Sequence, residues 1–330
     1  MVKENMHQSI IGVDLGGTKI AVGLFTPDGK LTLQHLQPTN AQDGSQAVID
    51  SLRQAIFHLV SQANVGLPQI KGIGIAAAGA IDSHNGIVTL SPNLPGWRNI
   101  PLKQILKDSL GVPVFLTNDA NAAAFGEYLF GAGRNVANLV YITVSTGIGG
   151  GIIINGEVYE GVSGAAGEVG HMTIDINGPP CNCGSNGCLE TLASGSALAR
   201  EAHRHIEAGE GQAILKVSGG DLAQVSAKTV FLAAQQGDRL AAELIQQTGR
   251  YLGIGLANLV NIFNPELIII GGGLSNMGEH LLGPARSVMQ ERAYQVSASA
   301  VRIVPALLGN DSGIIGAAAW VRHQFSRECL

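Results

Sequence analysis

The chain opens with an apolar run at residues 9–14 that ends in a carboxylate and a Gly-Gly pair, and a second run follows at 20–25. Two strands joined by a tight turn are predicted. Pro27-Asp28-Gly29 turns the chain into a third strand at 31–37. Over 44–63 the apolar residues Val48, Leu52, Ile56, Leu59 and Val60 share one helical face. A continuous apolar run at 70–77 predicts a buried strand. Residues 102–110 read as a helix closed by Gly111, and 114–116 as a strand that delivers Asn118-Asp119 at its carboxyl end. A helix over 120–130 follows.

The pattern then restarts. Strands are expected at 139–145 and 152–154, joined by the glycine-rich stretch 146–151, and 155–190 is rich in loops. From Ser194 the chain turns helical. A long helix at 240–263 is stopped by Asn264-Pro265. Then come a strand at 267–270, the triplet Gly271-Gly272-Gly273, a helix at 277–294, a strand at 301–304 and a last helix at 312–325. The repeated alternation predicts two α/β lobes with a cleft between them. The order of strands puts a small lobe at 1–120 and a large lobe at 121–311, with a C-terminal helix of about 312–330 packing back on the first.

Composition narrows the function. With 330 residues, 45% of them apolar and 14% charged, the chain can bury a large core. A net charge of −5 and the lack of any basic stripe argue against a nucleic-acid surface. Residues 1–10 are polar, with no secretory apolar segment, and no run of membrane-spanning length occurs. A cytoplasmic protein is expected, in a compartment that keeps thiols reduced.

Two stretches share one design. In Asp14-Leu15-Gly16-Gly17-Thr18-Lys19 a strand ends in a glycine turn whose backbone N–H groups can face an anion. Thr18 adds a hydroxyl, and Asp14 suits the hydrated Mg²⁺ of a nucleotide better than a bare phosphate. Residues 143–151 repeat the arrangement, with Thr146 and Gly147 in the turn. Either could be an ordinary glycine hairpin. As a pair they can grip a polyphosphate. Gly271, Gly272 and Gly273 would offer bare backbone to an adenine or ribose. Asn118-Asp119 fits a helix N-cap, and equally a carboxylate at a strand's carboxyl end, where open α/β folds bind ligands.

His171, Cys181, Cys183 and Cys188 form His-x9-Cys-x-Cys-x4-Cys. Three thiols and an imidazole make a closed tetrahedral zinc site, whereas a disulfide would leave one thiol over. The fourth cysteine, Cys329, lies far along the chain. Glu168 and Glu190 flank the cluster, and carboxylates accept well from sugar hydroxyls.

These motifs, with 74–79, 92–97, 118–121, 168–171 and 181–190, resemble the ROK family of repressors, open reading frames and sugar kinases, and within it the glucokinases. The resemblance covers residues 14 to about 273. It implies a two-lobed actin-like ATPase (ribonuclease H-like) fold with ATP and sugar in the interlobe cleft. It implies that Asp119 takes the proton of the sugar 6-hydroxyl, that Gly79, Asn93, Asn118, Glu168, His171 and Glu190 contact the sugar, and that the protein is a homodimer or homotetramer. His171 would give one ring nitrogen to zinc and turn the other towards the sugar.

The expected activity is ATP-dependent phosphorylation of a hexose, glucose first. N-acetylmannosamine, N-acetylglucosamine, fructose and mannose are the alternative substrates, and polyphosphate the alternative donor. A repressor would carry a helix-turn-helix ahead of Asp14, where only 13 residues stand. A plain sugar-binding module would need neither phosphate turn nor Asp119.

Overall fold

The computed structural model describes residues 8–328, so residues 1–7, Cys329 and Leu330 lie outside it. In chain order, strands β1 (Ser9–Leu15), β2 (Lys19–Phe25) and β3 (Leu31–Pro38) precede helix α1 (Ser45–Gln62) and β4 (Ile70–Ala77). Short strands β5 (Ala80–Asp82), β6 (Ile87–Leu90) and β7 (Arg98–Ile100) lead to α2 (Leu102–Leu110), β8 (Val114–Asn118) and α3 (Asp119–Phe130). After them come β9 (Leu139–Val144), β10 (Ile148–Ile154), β11 (Glu157–Val158), α4 (Leu189–Ala193), α5 (Gly195–Glu207), α6 (Gln212–Val217), α7 (Ala227–Gln235) and α8 (Arg239–Phe263). The chain finishes with β12 (Leu267–Gly271), α9 (Glu279–Arg292), α10 (Gln295–Ala300), β13 (Arg302–Pro305) and α11 (Ser312–Glu328).

Two compact units result. The first holds the chain up to Asn135, Gly151–Gly167 and the part from Leu307 onward; the second holds Val136–Gly150 and Glu168–Ala306. Residue 120, the boundary suggested by the order of strands, falls in the first turn of α3.

In the first unit the sheet order is β3-β2-β1-β4-β8. The first three strands form an antiparallel meander, while β1–β4 and β4–β8 are parallel. Helices α1 and α2 cover one face through Leu52, Ile56, Leu102 and Leu106, all fully buried. Helix α11 lies close on the other face. Side chains at Gly12 and Gly74 would collide with the backbone carbonyls of Ile314 and Ala317, which is why those strand positions are bare. The three short strands β5-β6-β7 form a separate antiparallel sheet in the same unit. The hydrophobic pattern does not predict this sheet, because strands of three or four residues carry too few alternations.

In the second unit β9, β12 and β13 run parallel. The long helix α8 buries Leu252, Leu256 and Val260 in the core beneath them. Strand β10 starts at Ile148, earlier than the expected 152, because the glycines of 149–151 are extended strand rather than turn. Among the described residues no helix is long and apolar enough to cross a membrane.

Candidate active site

Parallel register gathers the first unit's motifs at one sheet end. Leu15 is level with Ala77, and Ala77 with Asn118, so the chain leaves β1, β4 and β8 side by side. The Asp14–Lys19 turn is closed by Gly16 N–H donating to Lys19 O at 3.1 Å. Thr39 secures it by donating its hydroxyl to Gly16 O at 2.6 Å. A Cβ on Gly17 would stand 2.5 Å from the carbonyl oxygen of Asn93. Close approach, not turn conformation, therefore fixes that glycine, and it brings Asn93 against the Asp14–Lys19 turn. Thr18 and Lys19 are exposed. Burial raises the Asp14 carboxyl above the ordinary range, and Lys19 pulls it partly back.

Asn118 is the N-cap of α3. Its side-chain oxygen accepts from the N–H groups of Ala120 at 2.9 Å and Asn121 at 3.1 Å. Its amide donates to Gly79 O at 2.9 Å. Gly79 has φ +104°, a conformation closed to most side chains. Asp119 is the first residue of α3, and its Oδ1 shares the Ala120 N–H at 2.9 Å. Asn118 is thus the cap residue, with Asp119 accepting one of the same N–H groups. Asn93 is exposed on a turn whose Ser91 N–H donates to Trp97 O at 3.1 Å, with the Trp97 ring buried beneath.

In the second unit the strand ends also align, Thr143 standing opposite Gly271. The turn between β9 and β10 is closed by Ser145 N–H to Gly147 O at 2.9 Å. The N-terminus of α5 holds it by Gly195 N–H to Ser145 O at 2.7 Å and Ser196 N–H to Thr146 O at 3.3 Å. A cavity of about 590 Å³ opens beside this turn, lined by Ser145, Thr146, Ser196, Lys228, Phe231 and Asn276 among others. Of the glycine triplet only Gly273 lines it. Gly271 and Gly272 are bare for packing, since side chains there would strike Tyr141 and the Val144 backbone. The sequence reading missed Ser196, Lys228, Phe231 and Asn276. No local motif marks them, because they are scattered over α5, α7 and the turn after Gly273.

The loop before α4 brings His171, Cys181, Cys183 and Cys188 together, their donor atoms all within 4.8 Å of one another. Cys183 and Cys188 Sγ are 3.6 Å apart, and Cys181 Sγ is 3.6 Å from His171 Nδ1. A zinc tetrahedron with Zn–S near 2.3 Å has sulfur–sulfur edges of about 3.8 Å, so the donor set fits zinc. A disulfide would need about 2.05 Å. Burial and the neighbouring thiols push the Cys188 thiol up to about 12, the condition a bound dication reverses. His171 Nε2, the nitrogen turned away from Cys181, lies 3.9 Å from Glu168 Oε2. Glu190 follows two residues after Cys188, and its Oε2 accepts the Ile148 N–H at 2.8 Å.

Residues 10–324 match the profile of the ROK family. A glucokinase of Halalkalibacterium halodurans is 40% identical over 316 residues, 95% of each chain. A xylose repressor of Bacillus subtilis is 35% identical over 318 residues, 96% of this chain and 77% of the repressor. Among solved structures, a ROK family glucokinase from Streptomyces griseus in complex with glucose and AMPPNP superposes with a TM-score of 0.83. It is 36% identical, and the match covers 96% of this chain and 99% of that one. The actin-like ATPase fold implied by the motifs is the fold of these structures.

Proposed function

The chain belongs to the ROK family, and we propose that this member is an ATP-dependent hexokinase that phosphorylates the 6-hydroxyl of glucose. Identity near 40% to glucokinases over almost the whole chain supports the activity. The cap geometry at α3 supports the assignment of the base. Asn118 accepts the first helical N–H groups, and Asp119 follows it at the carboxyl end of β8, where open α/β folds bind ligands.

In this reading Asp119 takes the proton from the sugar hydroxyl as its oxygen attacks the γ-phosphorus. Phosphoryl transfer needs little more from a protein than positioning and charge stabilisation. In the same reading the hexose contacts carried over from the motifs are Gly79, Asn93, Asn118, Glu168, His171 and Glu190. The glycine-turn N–H groups at Gly16, Gly17, Thr18 and Lys19, and at Thr146 and Gly147, face phosphates, and Gly273 borders the nucleoside; Gly271 and Gly272 shape that border from behind. Asp14 would hold the Mg²⁺ of ATP, which would supply charge neutralising the phosphates. His171 and the three thiols would hold zinc, which would stiffen a loop that lacks a core of its own.

Three unpaired thiols within eight residues suit a reducing cytoplasm, and we expect a homodimer or homotetramer in solution. A coupled assay with ATP across glucose, mannose, fructose, N-acetylglucosamine and N-acetylmannosamine tests the reading. Glucose should give the highest kcat/KM, and no turnover of any hexose would refute it.

A further inference from the structure

We propose that Glu190 is a positioning residue that couples the hexose site to the phosphate turn of the second unit, so that sugar and nucleotide strengthen each other's binding. The inference rests on the hexokinase reading and adds a connection to it.

The connection is physical and short. Cys188, buried within the metal cluster, is the N-cap of α4, and Glu190 stands in that helix's first turn. Its Oε2 accepts the N–H of Ile148, the residue where the phosphate turn enters β10, at 2.8 Å. Gly147 faces the same carboxylate. Its φ is not in the left-handed region, so the turn itself does not demand glycine. A Cβ there would overlap Glu190 Oε2, so a side chain at 147 would have to push the carboxylate aside. On its other side the turn hangs from Gly195 at the start of α5. Ser145 and Thr146, two residues of this turn, line the large cavity. One side chain therefore spans the metal-clipped loop and the wall of the nucleotide site.

In the sugar reading Glu190 also contacts the hexose, and Oε1, the oxygen that does not hold Ile148, would accept the hydroxyl. A carboxylate held at both oxygens has one rotamer, and a fixed rotamer fixes the Ile148 amide and the turn behind it. Whichever ligand arrives first orders the turn, and the second binds without that cost. Linkage requires the effect to be reciprocal.

Calorimetry on the zinc-loaded enzyme tests this with a non-hydrolysable ATP analogue, measured with and without saturating glucose. For the wild type we expect the analogue's Kd to fall about 5–10-fold when glucose is present, within the usual range of such couplings. Glucose should tighten by the same factor when the analogue is present. Glu190→Asp keeps the charge but is one methylene too short to reach both partners. Gly147→Ala pushes on the carboxylate from the turn. In both the ratio should fall to about one with zinc content unchanged. The ratio is taken at saturating sugar, so weaker sugar binding alone does not alter it. A wild type without coupling overturns the proposal, as does a Gly147→Ala enzyme with the full wild-type ratio. Should a variant fail to fold, hydrogen exchange in the wild type decides. Glucose alone should slow exchange of the Ile148 amide several-fold, and an unchanged rate overturns the proposal. Failure of the hexokinase reading looks different: no hexose is phosphorylated at all.

Discussion

The side-chain amide of Asn118 donates to the carbonyl oxygen of Gly79 at 2.9 Å, tying the end of β8 to the turn after β4. The same side chain caps α3, so cap and turn can be separated by substitution. Asn118→Asp keeps the cap acceptor and loses the donor to Gly79. It sets a carboxylate against the Gly79 carbonyl and should cost about 0.5–1 kcal/mol while glucose affinity falls. Asn118→Ala loses both and should cost about 1–2 kcal/mol in urea denaturation. Equal stability losses in the two variants would contradict this division.

Asp14 sets function against stability. Its carboxyl is raised by burial, so the folded state prefers the protonated acid. The stability that goes with that preference is intact below the ordinary Asp pKa, near 3.9, and is lost as pH rises through the raised folded value. Asp14→Asn should therefore raise the Tm of the ligand-free protein at pH 7, with the gain shrinking towards acid pH. ATP-dependent turnover should fall sharply in the same variant. A lower Tm at pH 7 would argue against a desolvated Asp14.

Glu127 is fully buried in α3. Its Oε1 accepts the N–H groups of Leu307 at 2.9 Å and Leu308 at 2.7 Å, and its Oε2 accepts that of Ala132 at 2.8 Å. Glu127→Ala strands three backbone donors and should destabilise by about 3–5 kcal/mol. Urea denaturation reads this directly, and a loss under about 1 kcal/mol would show that water replaces the carboxylate.

The features legible in the sequence are those decided locally. Strand β4 and helix α2 match their sequence limits because one is a continuous apolar run and the other stops at Gly111, whose φ of +66° suits a glycine cap. The metal-compatible cluster needs only donor type and spacing to be read, and the structure brings His171, Cys181, Cys183 and Cys188 together. What stayed hidden depends on distant pairing. The bond from Glu190 to Ile148 joins residues 42 apart. The cavity walls at Ser196, Lys228 and Asn276 come from separate elements. The bareness of Gly17 has its cause in Asn93, and nothing in the glycine turn itself reveals that.

Removing the metal should show what the clip does. Elemental analysis should find about one zinc per chain. Cys183→Ala should lose the metal and most of its activity while the first unit keeps its fold, since all four donors lie in the second unit. Full activity in metal-free protein would remove the clip from the mechanism.

The most direct measurement is the turnover of Asp119→Asn with glucose and ATP. Asparagine keeps the shape of the side chain but cannot accept the hydroxyl proton. General-base catalysis typically contributes about 10²–10⁴-fold, so kcat should fall by a factor in that range. Glucose Kd should change only modestly, and zinc content and Tm should hold. A variant that turns over within a few-fold of wild type would make Asp119 a structural residue and would move the base to Glu168 or Glu190.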